Sequence, residues 1–226
     1  MNSDDLSRRS TLELLSLTQQ RNSSHENKYE ATQSLLKRWR QGIDLEPLIN
    51  LLLSENSHDR LRGANYISEL GREVEGLNVA ATMLADDALP ACRRAFVEYV
   101  ENSAYYEQAV AKALTKCLLD TDLYVRSAVI GWATRTSDET FEDFSRMVAT
   151  GAGRREPRFA NPLSNDFWNE SSLRRAVRGL DIIRRLREGK QIHQIRTDFP
   201  GEDSFIFDIV EFSLTLRDRL ARWQER

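Results

Sequence analysis

Apolar residues recur along this chain at three- and four-residue intervals, the spacing that lines one face of an α-helix. Phe141, Phe144 and Val148 form such a stripe behind Ser137 and Asp138, either of which suits the cap of a first turn. Leu48, Leu51 and Leu52 form another. It is opened by Asp44, Glu46 and Pro47, because a carboxylate caps free amides and proline is tolerated in a first turn. Residues 26–41 read as a helix through Tyr29, Leu35, Leu36 and Trp39, and residues 203–224 as a terminal capping helix through Phe205, Ile209, Phe212, Leu216 and Leu220. Gly42, Gly71, Gly151 and Gly189 fall where helices should end. Residues 1–24 read as a flexible N-terminal segment with a short helix near residues 12–17, leaving 25–226 as a single domain.

A longer period overlies the helical one. An apolar run, a polar turn and then apolar-Arg-x-Ala recur four times. The clearest copy is Leu118-Leu119-Asp120-Thr121-Asp122-Leu123-Tyr124-Val125-Arg126-Ser127-Ala128, continued by Val129, Trp132 and Ala133. The others centre on Leu61-Arg62-Gly63-Ala64, Cys92-Arg93-Arg94-Ala95 and Leu173-Arg174-Arg175-Ala176. Arg62, Arg93 and Arg126 are 31 and 33 residues apart, and Arg174 follows after 48, so an insertion falls at about 151–170. The first copy departs from the others, its later apolar positions Ile67 and Leu70 sitting one place further on. An Asp in each turn and an Arg in the next first turn are close enough to pair, which predicts a ladder fixing the stack.

The turn carrying Asp120 and Asp122, followed by Val125-Arg126-Ser127-Ala128, resembles the second half of a HEAT repeat, and the likeness extends over about residues 43–188. It implies an all-α protein built as a right-handed α-solenoid of HEAT-like helical hairpins, the second helix of each hairpin lining a concave face. Such repeats serve many unrelated functions.

Composition agrees with an all-α class. With Gly 10 and Pro 5 among 226 residues, the chain holds too few turn formers for a β-protein. The longest stretch without a charge, residues 76–85, is about half of what a membrane span needs. The start, Asn2-Ser3-Asp4-Asp5, lacks a basic region and an apolar run, so the expected location is the cytoplasm. Cys92 and Cys117 are too far apart for a CxxC pattern, and His25, His58 and His193 are scattered; no metal or other cofactor is expected. Neither a phosphate-binding loop nor a nucleophile elbow occurs, and no catalytic residue stands out.

Charge is uneven. Residues 1–150 carry 17 basic and 23 acidic side chains, whereas residues 151–196 carry 11 and 5. Positions on the second helices that point away from the predicted core are Arg94, Glu98 and Glu101, then Ser127, Gly131, Thr134 and Arg135, then Arg175, Arg178, Ile182 and Arg185. The insertion adds Trp168, and tryptophan and arginine are frequent binding hot spots. The expected partner-binding set is therefore Arg94, Glu98, Arg135, Trp168, Arg175, Arg178 and Arg185. The expected function is a non-catalytic protein-binding module, one form being a bacterial immunity protein or antitoxin that masks a toxin. The alternative is nucleic-acid binding through the basic block 151–196, as in HEAT-like DNA glycosylases. Against it stand a pI near 5.8 and the lack of an aspartate four places after any tryptophan.

Overall fold

The first described helix is held from both ends of its opening turn. Ser10 accepts from the Glu13 amide while the Glu13 carboxylate takes the Ser10 amide, a capping box that starts α1, Thr11–Gln19. Its Leu14, Leu15 and Leu17 are buried against α2, His25–Arg40. This helix covers the stretch where a short one was expected near residues 12–17, and its leucines belong to the core. The computed structural model describes residues 8–20, 22–150, 170–199, 206–213 and 215, and every regular element among them is helical.

Four helix pairs follow. They are α3 (Glu46–Leu53) with α4 (Ser57–Ser68), α5 (Asn78–Met83) with α6 (Pro90–Ser103), α7 (Gln108–Leu118) with α8 (Leu123–Arg135), and α9 (Asp138–Ala149) with α10 (Glu170–Arg187). Single 3-10 turns at Glu75–Leu77 and Leu84–Asp86 flank the short α5. Each first helix packs on the next first helix and each second helix on the next second helix, from α4 through α6 and α8 to α10, which gives two layers with the apolar core between them. A further helix, α11 (Ile192–Asp198), packs on α10, and residues 206–213 are helical.

Local chemistry explains these starts. Ser137 caps α9 and Asp122 caps α8 through the amides of Tyr124 and Val125. The helix α3 begins differently from expectation. Leu45 is its cap residue without a side-chain bond, and Asp44, at a positive φ of 50°, instead accepts the Thr11 hydroxyl at 3.0 Å and so ties α1 to the stack.

The ladder exists, with its first rung moved. Arg60, Arg93 and Arg126 are spaced by 33 residues each, and each donates from Nη1 to two carbonyls of the turn before its own helix. These are Ser54 and Glu55 for Arg60, Asp87 and Ala88 for Arg93, and Asp120 and Thr121 for Arg126. Arg60 Nε then reaches Asp87 at 2.5 Å, and Arg93 Nε reaches Asp120 at 2.6 Å, each carboxylate lying 27 residues ahead in the next repeat. The same carboxylates accept the amides of Leu89 and Asp122, closing the turns. Side-chain exposure in these pairs is 7% or less. Arg62 is therefore not a rung; it lies half-buried, 3.5 Å from Asp59. Arg174 is exposed on α10. Buried Tyr66, Tyr99 and Trp132 repeat at the same 33-residue interval.

Candidate partner-binding face and its aromatic cleft

The second-helix layer carries the residues expected to bind a partner, and the structure separates them into three situations. On α6, Arg94 and Glu98 form an exposed pair one turn apart at 3.2 Å. On α10, Arg185 bonds Asp198 at 2.7 Å and Asp181 at 3.3 Å, with its guanidinium carbon 4.8 Å from the centre of the Phe199 ring; Arg178 is 5.8 Å from the same ring. These two arginines hold α11 onto α10. Arg175 belongs to α10 by its backbone, but its side chain lies outside the described residues, as does Trp168 with the rest of 151–169.

The strip itself is not open along its whole length. Gly131, Thr134 and Ile182, expected to face outward, are buried, Thr134 to 1% and Ile182 to 0% exposure. The chain's own helical segment 206–213, whose Ile206, Phe207, Val210 and Ser213 are buried, lies against this strip at Gly131 and Gly179. A Cβ added at Gly131 would lie 3.4 Å from Ser213 Oγ, and one at Gly179 would lie 3.6 Å from Ile206 Cδ1. These ordinary van der Waals distances place the segment against α8 and α10, and the tighter neighbour of Gly131 is the Arg135 guanidinium, 3.0 Å from the same Cβ position. Of the expected capping helix 203–224, residues 206–213 rest on the second-helix layer, and most of the remainder lies outside the described residues.

The basic block also turns inward. Arg184 bonds Glu142 at 3.0 Å, Arg187 bonds Asp138 at 2.5 Å, and Arg196 reaches Asp208 at 3.3 Å. Arg187 additionally donates to the carbonyls of Ala133 and Thr136, so it caps the C-terminal end of α8. The hydrogen bond to Glu142 raises the pKa of Arg184, which keeps it charged.

A cleft of about 420 Å³ opens where α6 and α8 end, beside the covered strip. Its buried floor is Val100 and Trp132. Ala104 ends α6 in the left-handed conformation, φ 55°, a strained geometry for a residue with a Cβ, and the chain turns there to present Tyr105 and Tyr106 as a wall. Tyr106 stacks on Trp132 with centroids 5.9 Å apart, Phe144 meets Trp132 edge-on at 5.0 Å, and the Tyr106 hydroxyl donates to Asp143 at 3.0 Å. Opposite, the Ser137 hydroxyl bonds Thr140 Oγ1 at 2.9 Å.

Along one edge of the cleft, Arg135 Nε and Nη2 both reach Glu101 Oε1 at 2.5 Å. Among the described residues no hydrogen bond reaches Glu101 Oε2, and the Glu101 side chain is 31% exposed. Burial, then the Glu107 carboxylate, pushes the Tyr105 phenol up; burial, then Asp143, does the same for Tyr106. Both phenols stay neutral over the physiological range, and both feel nearby negative charge. Aromatic faces with an acceptor at the edge suit binding of a flat or cationic group. The Cys92 and Cys117 thiols are buried elsewhere in the core, and burial pushes Cys92 up to about 12.

Of the expected site residues that are described, only Arg135 lines this cleft. Sequence reasoning placed Trp132 in the core and passed over Tyr105 and Tyr106. Their signal was a pair of aromatics in a short joint between two helices. Among the described residues, no group of three or more His, Cys, Asp or Glu is placed to hold a metal ion, and no helix is long and apolar enough to cross a membrane. Comparison of the chain with protein-family models, with curated proteins and with solved structures gives no match.

Proposed function

We propose that the chain is a non-catalytic protein-binding module of the cytoplasm, built as a right-handed HEAT-like α-solenoid with α4, α6, α8 and α10 on its concave face. One observation carries the reading: this face already accepts a helix. Residues 206–213 lie against Gly131 and Gly179 and bury Ile206, Phe207 and Val210, while the open cleft at Glu101 and Arg135 continues the same face. A surface that seats one amphipathic helix in cis has the shape to grip a protein segment in trans.

The acidic balance of residues 1–150 favours a basic partner, and masking of a basic toxin, as by an immunity protein, is one form of this reading. Nucleic-acid binding loses support because Arg184, Arg185, Arg187 and Arg196 are each paired with a carboxylate.

Tagged chain recovered from its source cells tests the proposal. A single protein should co-purify near equal stoichiometry. Its affinity should fall by about 2 kcal/mol in Tyr105→Ala, which removes a wall of the cleft, and hardly change in Arg184→Ala. Recovery of nucleic acid instead, with an affinity slope near −0.9 per contacted phosphate against salt, would contradict it.

A further inference from the structure

We infer that the cleft between the ends of α6 and α8 is a receptor for one basic side chain, arginine or lysine, of a protein partner, which Glu101 and the rings of Tyr105 and Tyr106 hold. The inference rests on the protein-binding reading and specifies the chemistry of its partner at one point. Four observations combine.

The volume, about 420 Å³, lies within the range of small ligand sites and is ample for a single side chain. The wall is aromatic, and ring faces attract a desolvated cation. Glu101 already binds a guanidinium, that of Arg135, through one oxygen only, and its other oxygen keeps its acceptor capacity at the cleft edge. The surroundings are acidic. Asp143 sits on the Tyr106 hydroxyl at 3.0 Å, and Glu107 lies beside Tyr105. Of the neighbouring cations, Arg135 lines the cleft but is held on Glu101 Oε1 at 2.5 Å. Arg187 is bound to Asp138, and Arg146, 75% exposed, is 3.8 Å from Asp143. An acidic side chain entering here would have to displace Glu101 from Arg135 and lie against that carboxylate and two electron-rich rings, and a neutral apolar one would leave the Glu101 oxygen against it without a bond.

Neutral analogues separate charge from shape. The probe is acetyl-Gly-Arg-Gly-amide, titrated into the full chain while the indole N–H resonance of Trp132 and the ring resonances of Tyr105 and Tyr106 are followed. The same peptide with citrulline, which has the same outline without the charge, and one with glutamate serve as comparisons. The arginine peptide should move these resonances and bind at least tenfold more tightly than the citrulline peptide, with no shift from glutamate. Glu101→Gln should erase the tenfold preference, and Tyr105→Leu, which leaves the ion pair intact, should weaken the arginine peptide severalfold while the amide spectrum remains that of the folded chain. Equal binding of arginine and citrulline, preference for glutamate, shifts that map to another face, or no shift up to the solubility limit would overturn the inference. The broader reading fails separately, if tagged chain retains no protein partner.

Discussion

Two groups of arginines occupy this molecule, and they differ in almost every physical respect. Arg60 and Arg93 are buried, repeat at 33 residues, and meet carboxylates of the next repeat that are themselves buried. Arg184, Arg185 and Arg196 obey no period and pair on the surface, with partners 51% to 65% exposed for the Glu142, Asp198 and Asp208 contacts. In the first group an arginine fixes the stacking of one helix pair on the next through a buried ion pair. In the second it neutralises local charge in water. Among the described arginines of the basic block, Arg184, Arg185, Arg187 and Arg196 are taken up by the chain's own acids, and the binding chemistry moves to a cleft holding a single arginine.

The sharpest way to break this contrast is Arg93→Ala. It removes the Nε and Nη2 bonds to the buried Asp120 carboxylate and should cost about 3–5 kcal/mol, read as the urea midpoint at constant slope. A loss under about 1 kcal/mol would place the ladder among ornamental contacts. The ladder region should also respond to alkali. Cys92 lies beside these pairs, and burial chiefly, with Asp87 adding to it, raises its thiol to about 12. Burial also raises the Tyr99 phenol. The unfolded chain therefore releases these protons first and binds fewer than the native state above about pH 9, so stability must fall as pH rises. Cys92→Ala should flatten that fall by up to about 1.4 kcal/mol per pH unit.

Arg126→Ala comes next. Arg126 keeps both carbonyl bonds of its turn, is only half-buried, and has Gly153 where the next aspartate would stand in the sequence. Its loss should cost about 1–2 kcal/mol, between the two groups. Arg184→Ala should cost less than about 1 kcal/mol, since exposed pairs are screened and flexible. Equal costs for Arg93, Arg126 and Arg184 would erase the distinction.

Much of the architecture was legible in the sequence. The stripe of Phe141, Phe144 and Val148, the cap at Ser137 and the period in the thirties were all read from residue spacing, and the two-layer stack agrees with them. The register of the first repeat was not. Its turn carries Ser54 where the next two carry Asp87 and Asp120, and Arg62 with Gly63-Ala64 imitates the motif two places late. Only the fixed 27-residue reach from arginine to aspartate selects Arg60. Asp44 was misread for a related reason. Local preference marks it as a cap, but a bond to Thr11, 33 residues away in sequence, overrides that preference.

The site was less legible than the fold. Amphipathic periodicity predicts which positions leave the core of one helix, and it cannot register a segment such as 206–213 returning against Gly131 and Gly179. Nor does it mark Tyr105 and Tyr106, whose role depends on the left-handed turn at Ala104. Arg135 was found because it lies on the outward face of α8; its partner Glu101 was placed on the same strip but not joined to it.

Hydrogen exchange on the chain with and without its co-purified partner tests the central claim most directly. Binding at the second-helix face predicts increased protection in residues 98–107 and 131–140, the ends of α6 and α8 and the joints after them, with the ladder turns at 54–60 and 87–93 unchanged. Protection confined to α10 and α11, or to α1 and α2, would contradict it.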